Sequence, residues 1–120
     1  MNMDIEKFRT YCLNKKGVTE SFPFNEDVLV FKVLHKMFAL TSLSSENFAV
    51  SLKCNPEKSL NLREEYACIV PAFHMNKKHW NSVDSTDLMN DVLLIELINH
   101  SYELVVKAMT KKDRELLAKI

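Results

Sequence analysis

The sequence predicts an α+β fold in which helices pack on one face of an antiparallel sheet. Two β-branched and aromatic runs, Val28 to Leu34 and Met37 to Leu43, are joined around His35-Lys36 and predict a tight hairpin. Farther along, apolar residues at helical spacing predict one long helix. That stripe consists of Leu94, Leu97, Ile98, Tyr102, Val105 and Met109.

The first half of the chain is predicted to hold one helix and three strands. Asp4 to Leu13 has helical spacing, and Asn14 to Gly17 is typical of a helix C-terminus. Glu20 to Phe24 is expected to be an aromatic loop whose two phenylalanines, Phe22 and Phe24, plug one end of the core. The hairpin strands follow, and the alternating segment Phe48 to Lys53 predicts the third strand.

The second half is predicted to begin with a helix at Asn55-Pro56-Glu57, where Asn caps and Pro takes the first helical position. Cys68 to Val70 then predicts a short strand, with Lys78 to Val83 as its partner. The long helix follows, and Thr110-Lys111-Lys112-Asp113 predicts the start of a short last helix. The expected order is α-β(3)-α-β(2)-α plus this last helix.

Length and composition predict one domain, residues 1–120. The chain has 47% hydrophobic residues, a single glycine and no Pro/Gly/Ser-rich stretch that would divide it. Its formal net charge is +0, whereas dedicated nucleic-acid binders are usually basic overall. The total charge therefore gives no support to a nucleic-acid partner, and only local clusters of charge could do so.

Most enzyme templates are missing from the sequence, so we expect no catalytic residues, no cofactor and no metal. It contains no Gly-rich phosphate loop, no G-x-S-x-G and no H-E-x-x-H. His74 and His79 are five residues apart, which brings them together on neither a helix nor a strand. The Cys68–His74 pair is interpreted as an unreactive buried thiol beside a histidine.

The expected location is the cytoplasm, without membrane contact. The cysteines Cys12, Cys54 and Cys68 stand singly and are expected to be buried free thiols. The first residues, M-N-M-D-I-E-K-F, lack the basic and apolar regions of a signal peptide, so we expect none. The longest apolar run, Val92 to Ile98, is too short to span a bilayer.

The segment with the greatest capacity for binding is Pro71 to Trp80, read P-A-F-H-M-N-K-K-H-W. Its lysines could donate to phosphates, its Asn carries a bidentate amide, and its Trp offers a flat face for stacking. A structural interpretation competes with this one. Asn76 could cap a turn, His79 and Trp80 could anchor the core, and the lysines could simply be solvated.

With these residues identified, the sequence resembles the MmcQ/YjbR family along almost its full length. The likeness lies in F-K-V-L-H-K-M-F-A-L, S-L-K-C-N-P-E, Leu62-Arg63-Glu64, the Pro71 to Trp80 segment and Ser101-Tyr102. It implies a two-layer α-β(3)-α-β(2)-α domain, similar in outline to type III secretion chaperones. The family commonly has glycine in the first hairpin turn, where this chain has Leu34-His35.

The resemblance also implies DNA binding, with double-stranded DNA as the partner. Exposed hairpins would act as wings, and basic residues near the motif would contact phosphates. The candidate residues are Lys36, Lys53, Asn76, Lys77 and Lys78, with His79 or Trp80 adding a polar or stacking contact. The alternative is a chaperone-like protein-interaction module, a homodimer or the binder of another protein. Near-zero charge, exposed strand edges and the Phe22–Phe24 loop favour that alternative.

Overall fold

The computed structural model describes residues 3–72, 75–88 and 90–120, which form helices and one antiparallel sheet. The strands are β1 (Val18–Ser21), β2 (Val28–Val33), β3 (Lys36–Ser42), β4 (Ala49–Lys53), β5 (Ile69–Pro71) and β6 (Trp80–Asp84). The helices are α1 (Ile5–Leu13), α2 (Pro56–Glu65), α3 (Ser85–Leu88), α4 (Asp91–Lys107) and α5 (Lys111–Ala118). The strand order across the sheet is β1-β2-β3-β4-β6-β5. The predicted α+β class is confirmed.

The element order differs from the prediction at β1 and α3. Four strands, not three, precede α2, because Val18–Ser21 pairs with β2 as an edge strand. The expectation for Phe22 and Phe24 is wrong. They follow β1 outside the space between sheet and helices, and they are 48% and 61% exposed.

The core lies between one face of the sheet and the helices. Alternate residues of β2, namely Leu29, Phe31 and Val33, are buried on this face. Leu94, Leu97, Ile98 and Val105 of α4 are buried in the same cluster, as the apolar stripe predicted. Among the described residues, no helix has both the length and the apolar content to cross a bilayer.

The opposite face of the sheet is left open by the helices. Val28, Leu40 and Ser51 lie on it, since they alternate with core residues. Val28 pairs with Ser42, and Ser51 pairs with Leu40 on one side and Ser82 on the other. These residues border two adjoining cavities of about 260 and 770 Å³. The sheet therefore has a helix-covered side and an open side, and the cavities on the open side are lined mainly by small or uncharged side chains.

The turn between β2 and β3 is tight and carries backbone strain. Val33 pairs with Lys36, which leaves Leu34 and His35 as the two turn residues. Leu34 has φ +56°, a conformation that favours glycine and costs other residues about 1–2 kcal/mol. Two contacts offset this cost: the Leu34 N–H donates to the Gly17 carbonyl at 2.9 Å, and its side chain packs against the core. The Leu34-His35 turn therefore adopts a hairpin geometry without the glycine.

The ladder between β3 and β4 stops early, because a side chain enters between the two strands. Their register runs from Thr41–Val50 to Ala39–Leu52, and the next pair would be Phe38–Lys53. Instead, the fully buried Ser101 hydroxyl donates to the Phe38 carbonyl at 2.5 Å. The same hydroxyl accepts from the Lys53 N–H at 2.9 Å. Ser101 thus satisfies both backbone groups that the missing pair would have joined.

We expect Ser101→Ala to lower the free energy of unfolding by roughly 2–4 kcal/mol, because it leaves two buried backbone groups without a partner. Urea denaturation measures this loss. The exposed Ser44 is a suitable control, and Ser44→Ala should change stability by less than about 0.5 kcal/mol. Equal stability of the Ser101→Ala protein and the unmodified protein would contradict the bridging role.

The start of α2 depends on a neutral histidine. The N–H of Asn55, the N-cap residue, donates to Nε2 of His100 at 3.1 Å. Burial lowers the pKa of His100 below its ordinary value of 6.5, and the nearby Lys58 lowers it further. Protonation would turn the acceptor nitrogen into a donor and break this bond.

A histidine whose pKa is lower in the folded protein than in the unfolded chain stabilises the fold at pH values above its unfolded pKa. This stabilisation is lost as the pH falls through the pKa of the folded protein. The unfolding free energy should therefore decrease as the pH is lowered below 6.5. His100→Gln keeps an acceptor without titrating, so its stability should depend less on pH in this window. Thermal denaturation of both proteins across the acidic range tests this, and identical pH profiles would refute it.

Candidate nucleic-acid interface

The candidate site is a groove at the end of the sheet where β3 begins, β4 ends and β6 begins. It has a volume of about 210 Å³ and is closed on the helical side by the last turn of α4 and the residues that follow. We call it the strand-end groove. It is lined by Lys36, Met37, Lys53, Trp80, Val105, Ala108 and Met109.

The groove lies where β3 and β4 separate, and Ser101 explains the separation. Neighbouring strands in a continuous ladder lie about 4.8 Å apart, which leaves no room between their backbones. Beyond Ala39 and Leu52 the ladder is replaced by the Ser101 hydroxyl. The register of β2 and β3 also shifts between Phe31 and Lys32, so Phe38 has no partner on that side. Lys36 and Lys53 consequently border a groove instead of a closed sheet.

The corner before β6, residues 75–79, is attached to the same sheet end by backbone hydrogen bonds. The Asn76 carbonyl accepts from the N–H groups of His79 and Trp80, at 3.1 and 2.9 Å. The His79 carbonyl in turn accepts from the Cys54 N–H at 2.8 Å. Trp80 is paired with Lys53 in the ladder. The corner and the groove are therefore parts of one continuous surface.

Arg63 of α2 holds the corner from the other side. Its Nη2 donates to the Lys77 carbonyl at 2.5 Å, and its Nε donates to Asn81 Oδ1 at 2.8 Å. The buried Asn81 also donates to Ser59 Oγ at 3.2 Å. A guanidinium presents its donors in a rigid plane, so these contacts fix the corner relative to α2.

Each predicted contact residue has a defined place at this sheet end. Lys36, Lys53 and Trp80 line the groove, with Trp80 only 8% exposed. Lys77 and Lys78 are exposed on the corner and do not line the groove. Asn76 Oδ1 accepts from the Lys78 N–H at 2.9 Å, so this amide caps its own turn. His79 is half-buried between the corner and the groove.

Lysines that the sequence analysis did not assign to the site also lie near the groove. Ala108 and Met109 line it, and they stand between Lys107 at the end of α4 and Lys111 and Lys112 at the start of α5. All three lysines are exposed. The available signal was the basic run of the sequence from Lys107 onward.

The charge around the groove is mainly positive. No carboxylate is among the described residues that line it. At the β2–β3 turn, Asp113 Oδ2 lies 3.2 Å from Nε2 of the turn residue His35. The site therefore offers ammonium donors and apolar surface, which suits an anionic ligand with an apolar part.

Two positioning residues were missed by the sequence analysis. Ser101 occupies a place in the apolar stripe of α4, and a small polar residue in a core stripe was the available signal. Arg63 was noted only as part of a family motif. Its partners Asn81 and Lys77 are 18 and 14 residues away, so no local pattern links them.

The described residues hold no group of three His, Cys, Asp or Glu side chains able to bind a metal ion. His74 lies outside the described residues, so the expectations for the His74–His79 and Cys68–His74 pairs stay predictions. Burial raises the pKa of Cys54 and Cys68, and raises that of Cys12 to about 12. Cys68 is only half-buried, so the expectation that all three thiols are buried is wrong for it.

These features define a small α+β protein whose helices cover one face of an antiparallel sheet and whose basic groove lies at the sheet end. A sequence model of the YjbR family matches residues 13–104. The chain belongs to the YjbR family, and the MmcQ/YjbR resemblance is confirmed.

Relatives and solved structures agree with this assignment. The protein YbdF of Escherichia coli O157:H7 is 40% identical over 110 residues, which cover 92% of this chain and 90% of YbdF. The protein YjbR of Escherichia coli strain K12 is 30% identical over 118 residues, covering 98% and 100%. The crystal structure of Deinococcus radiodurans DR2400 matches with a TM-score of 0.88 and 38% identity, covering 95% of this chain and 87% of that one. A Pseudomonas syringae crystal structure matches with a TM-score of 0.72 and 27% identity, covering 85% and 98%.

Proposed function

We propose that this protein is a DNA-binding protein that contacts phosphates through the strand-end groove and the adjoining corner. The observation that carries the proposal is the meeting of Lys36 and Lys53 in one groove beside the exposed Lys77 and Lys78. The two groove lysines belong to strands that pair only farther along. Positive groups fixed on a rigid sheet end suit the regularly spaced charges of a nucleic-acid backbone.

The proposed role is binding without catalysis, in the cytoplasm. Lys36, Lys53, Lys77 and Lys78 would contact phosphates, and His79 would add a polar contact at the edge of the corner. Asn76 and Trp80 would act mainly by shaping the surface, because one caps the turn and the other is largely buried. The exposed helix-end lysines Lys107, Lys111 and Lys112 would add further phosphate contacts.

Salt dependence gives a direct test. If four lysines each neutralise one phosphate, the logarithm of the duplex affinity should fall with the logarithm of salt with a slope of about −3 to −4. Lys36→Gln with Lys53→Gln should make this slope shallower by about 2 and weaken binding at low salt. Fluorescence anisotropy of a labelled duplex at several salt concentrations measures both quantities.

The matched control is Lys7→Gln, which removes one charge from an exposed position on α1. It should leave the affinity nearly unchanged, because the groove is built from β3, β4, β6 and the end of α4. Wild-type affinity in the double variant, or no binding by the unmodified protein at low salt, would refute the proposal.

A second candidate function is protein interaction through the open face of the sheet. The cavity of about 770 Å³ on this face has Asp27 as the one ionisable group among its described lining residues. Phe24 borders the cavity while 61% exposed, and Phe22 is 48% exposed nearby. Exposed aromatic side chains beside a recess with few charged groups are typical of a protein-binding surface.

If this face joins two copies of the chain, Phe24→Ser should shift a dimer toward the monomer without changing the fold. Light scattering over a concentration series measures the shift. Leu116→Ser is the control, because Leu116 is a comparably exposed apolar residue on α5. A strictly monomeric unmodified protein would exclude self-association through this surface.

A further inference from the structure

The strand-end groove has an apolar floor that phosphate binding does not use. Between the two lysines lie Met37, Val105 and Met109, with the largely buried Trp80 at one side. A phosphodiester group is charged and hydrated, so it gains nothing from apolar surface of this kind. Another part of the ligand must fill the floor if the groove is used as a whole.

The size of the groove limits what that part is. Its volume of about 210 Å³ lies below the roughly 300–1,000 Å³ of ordinary small-molecule pockets. The groove therefore accommodates a single ring system. Methionine thioethers pack well against aromatic rings, and aromatic side chains commonly receive nucleic-acid bases.

We propose that the strand-end groove takes one unpaired base of single-stranded DNA, while Lys36 and Lys53 bind the flanking phosphates. This inference rests on the proposed function and specifies the form of DNA that the site accepts. The base would lie against Met37 and Met109, and Trp80 would border it.

A continuous duplex does not supply such a base. Its bases are stacked and paired, and extruding one costs a few kcal/mol, whereas a base that is already unpaired requires no such free energy. The apolar residues are also recessed, since Val105 and Met109 are each 5% exposed. Only a group that projects from the backbone reaches them, as an unstacked base does. The groove should therefore prefer single strands over a duplex of equal phosphate count.

The test compares three labelled oligonucleotides of equal phosphate count: a thymidine single strand, the same strand with abasic sugars, and a closed hairpin duplex. Anisotropy gives the affinities, and the fluorescence of Trp80, the single tryptophan of the chain, reports on the groove. We expect the thymidine strand to bind roughly tenfold more tightly than the other two, because each stacked base adds binding free energy. Only this strand should change the emission of Trp80.

A variant that fills the groove provides the second measurement. Ala108 lines the groove, is exposed, and has helical φ and ψ of −83° and −5°, so leucine fits its backbone. Ala108→Leu should abolish the difference between the affinities for the thymidine strand and the abasic strand. Ala118→Leu, the same change at an exposed position outside the groove, should alter neither.

The outcomes separate this inference from the proposed function. Equal affinity for all three oligonucleotides, or an Ala108→Leu protein that binds the thymidine strand normally, would overturn base insertion while phosphate binding stands. If none of the three oligonucleotides binds at low salt, both base insertion and phosphate binding are overturned. Preference for the thymidine strand that Ala108→Leu removes would support both.

Discussion

The insertion of Ser101 between β3 and β4 is the contact on which the candidate site depends. Its hydroxyl donates to one strand and accepts from the other, so both strands remain satisfied where their own pairing stops. A neutral hydroxyl is suited to this position because it can be donor and acceptor at once. The side chain must also be small, since Ser101 is fully buried in the core between α4 and the sheet. Alanine would leave the Phe38 carbonyl and the Lys53 N–H without this hydrogen-bond partner. A larger residue would need space that the packed core lacks.

The second constraint is the attachment of the corner to α2. Arg63 joins the Lys77 carbonyl to Asn81, and Asn81 continues the contact to Ser59. Within the described residues, all buried side-chain polar atoms have a hydrogen-bond partner, so this network is complete. A hydrogen-bond network anchored on a buried pair, here Asn81 and Ser59, favours one arrangement over others. The corner lysines are therefore presented from a defined position at the sheet end and not from an unsupported loop.

Much of the fold could be predicted because patterns within short segments of the sequence indicate its helices and strands. The β2–β3 hairpin, the Asn55-Pro56 helix start and the stripe of α4 all agree with the structure. β1 was missed because its four residues, V-T-E-S, gain strand structure only by pairing with β2. Phe22 and Phe24 were misplaced because hydrophobicity alone does not tell whether a loop reaches the core.

The site was predictable as a set of residues but not as an arrangement. Lys36, Lys53 and Trp80 were selected from separate segments, and the structure brings them to one groove. Their convergence depends on the unpaired Phe38, on Ser101 and on the strand order, which are all long-range features. Sequence spacing reports neighbours along a helix or strand, so it could not show that the Ser101 side chain of α4 bridges two strands. The contribution of Ala108 and Met109 was hidden for the same reason.

The neutral total charge of the chain bears on how such a site could work. A formal net charge of +0 supplies little long-range attraction for DNA, in contrast to a uniformly basic domain. The affinity must then come from short-range contacts at the sheet end. A few lysines give a modest electrostatic contribution that physiological salt reduces further. Contacts that salt does not weaken are therefore more important here than in a basic protein. The apolar residues that line the groove with Lys36 and Lys53 are suited to provide them, so the proposed binding rests more on the groove than on the exposed lysines of the corner.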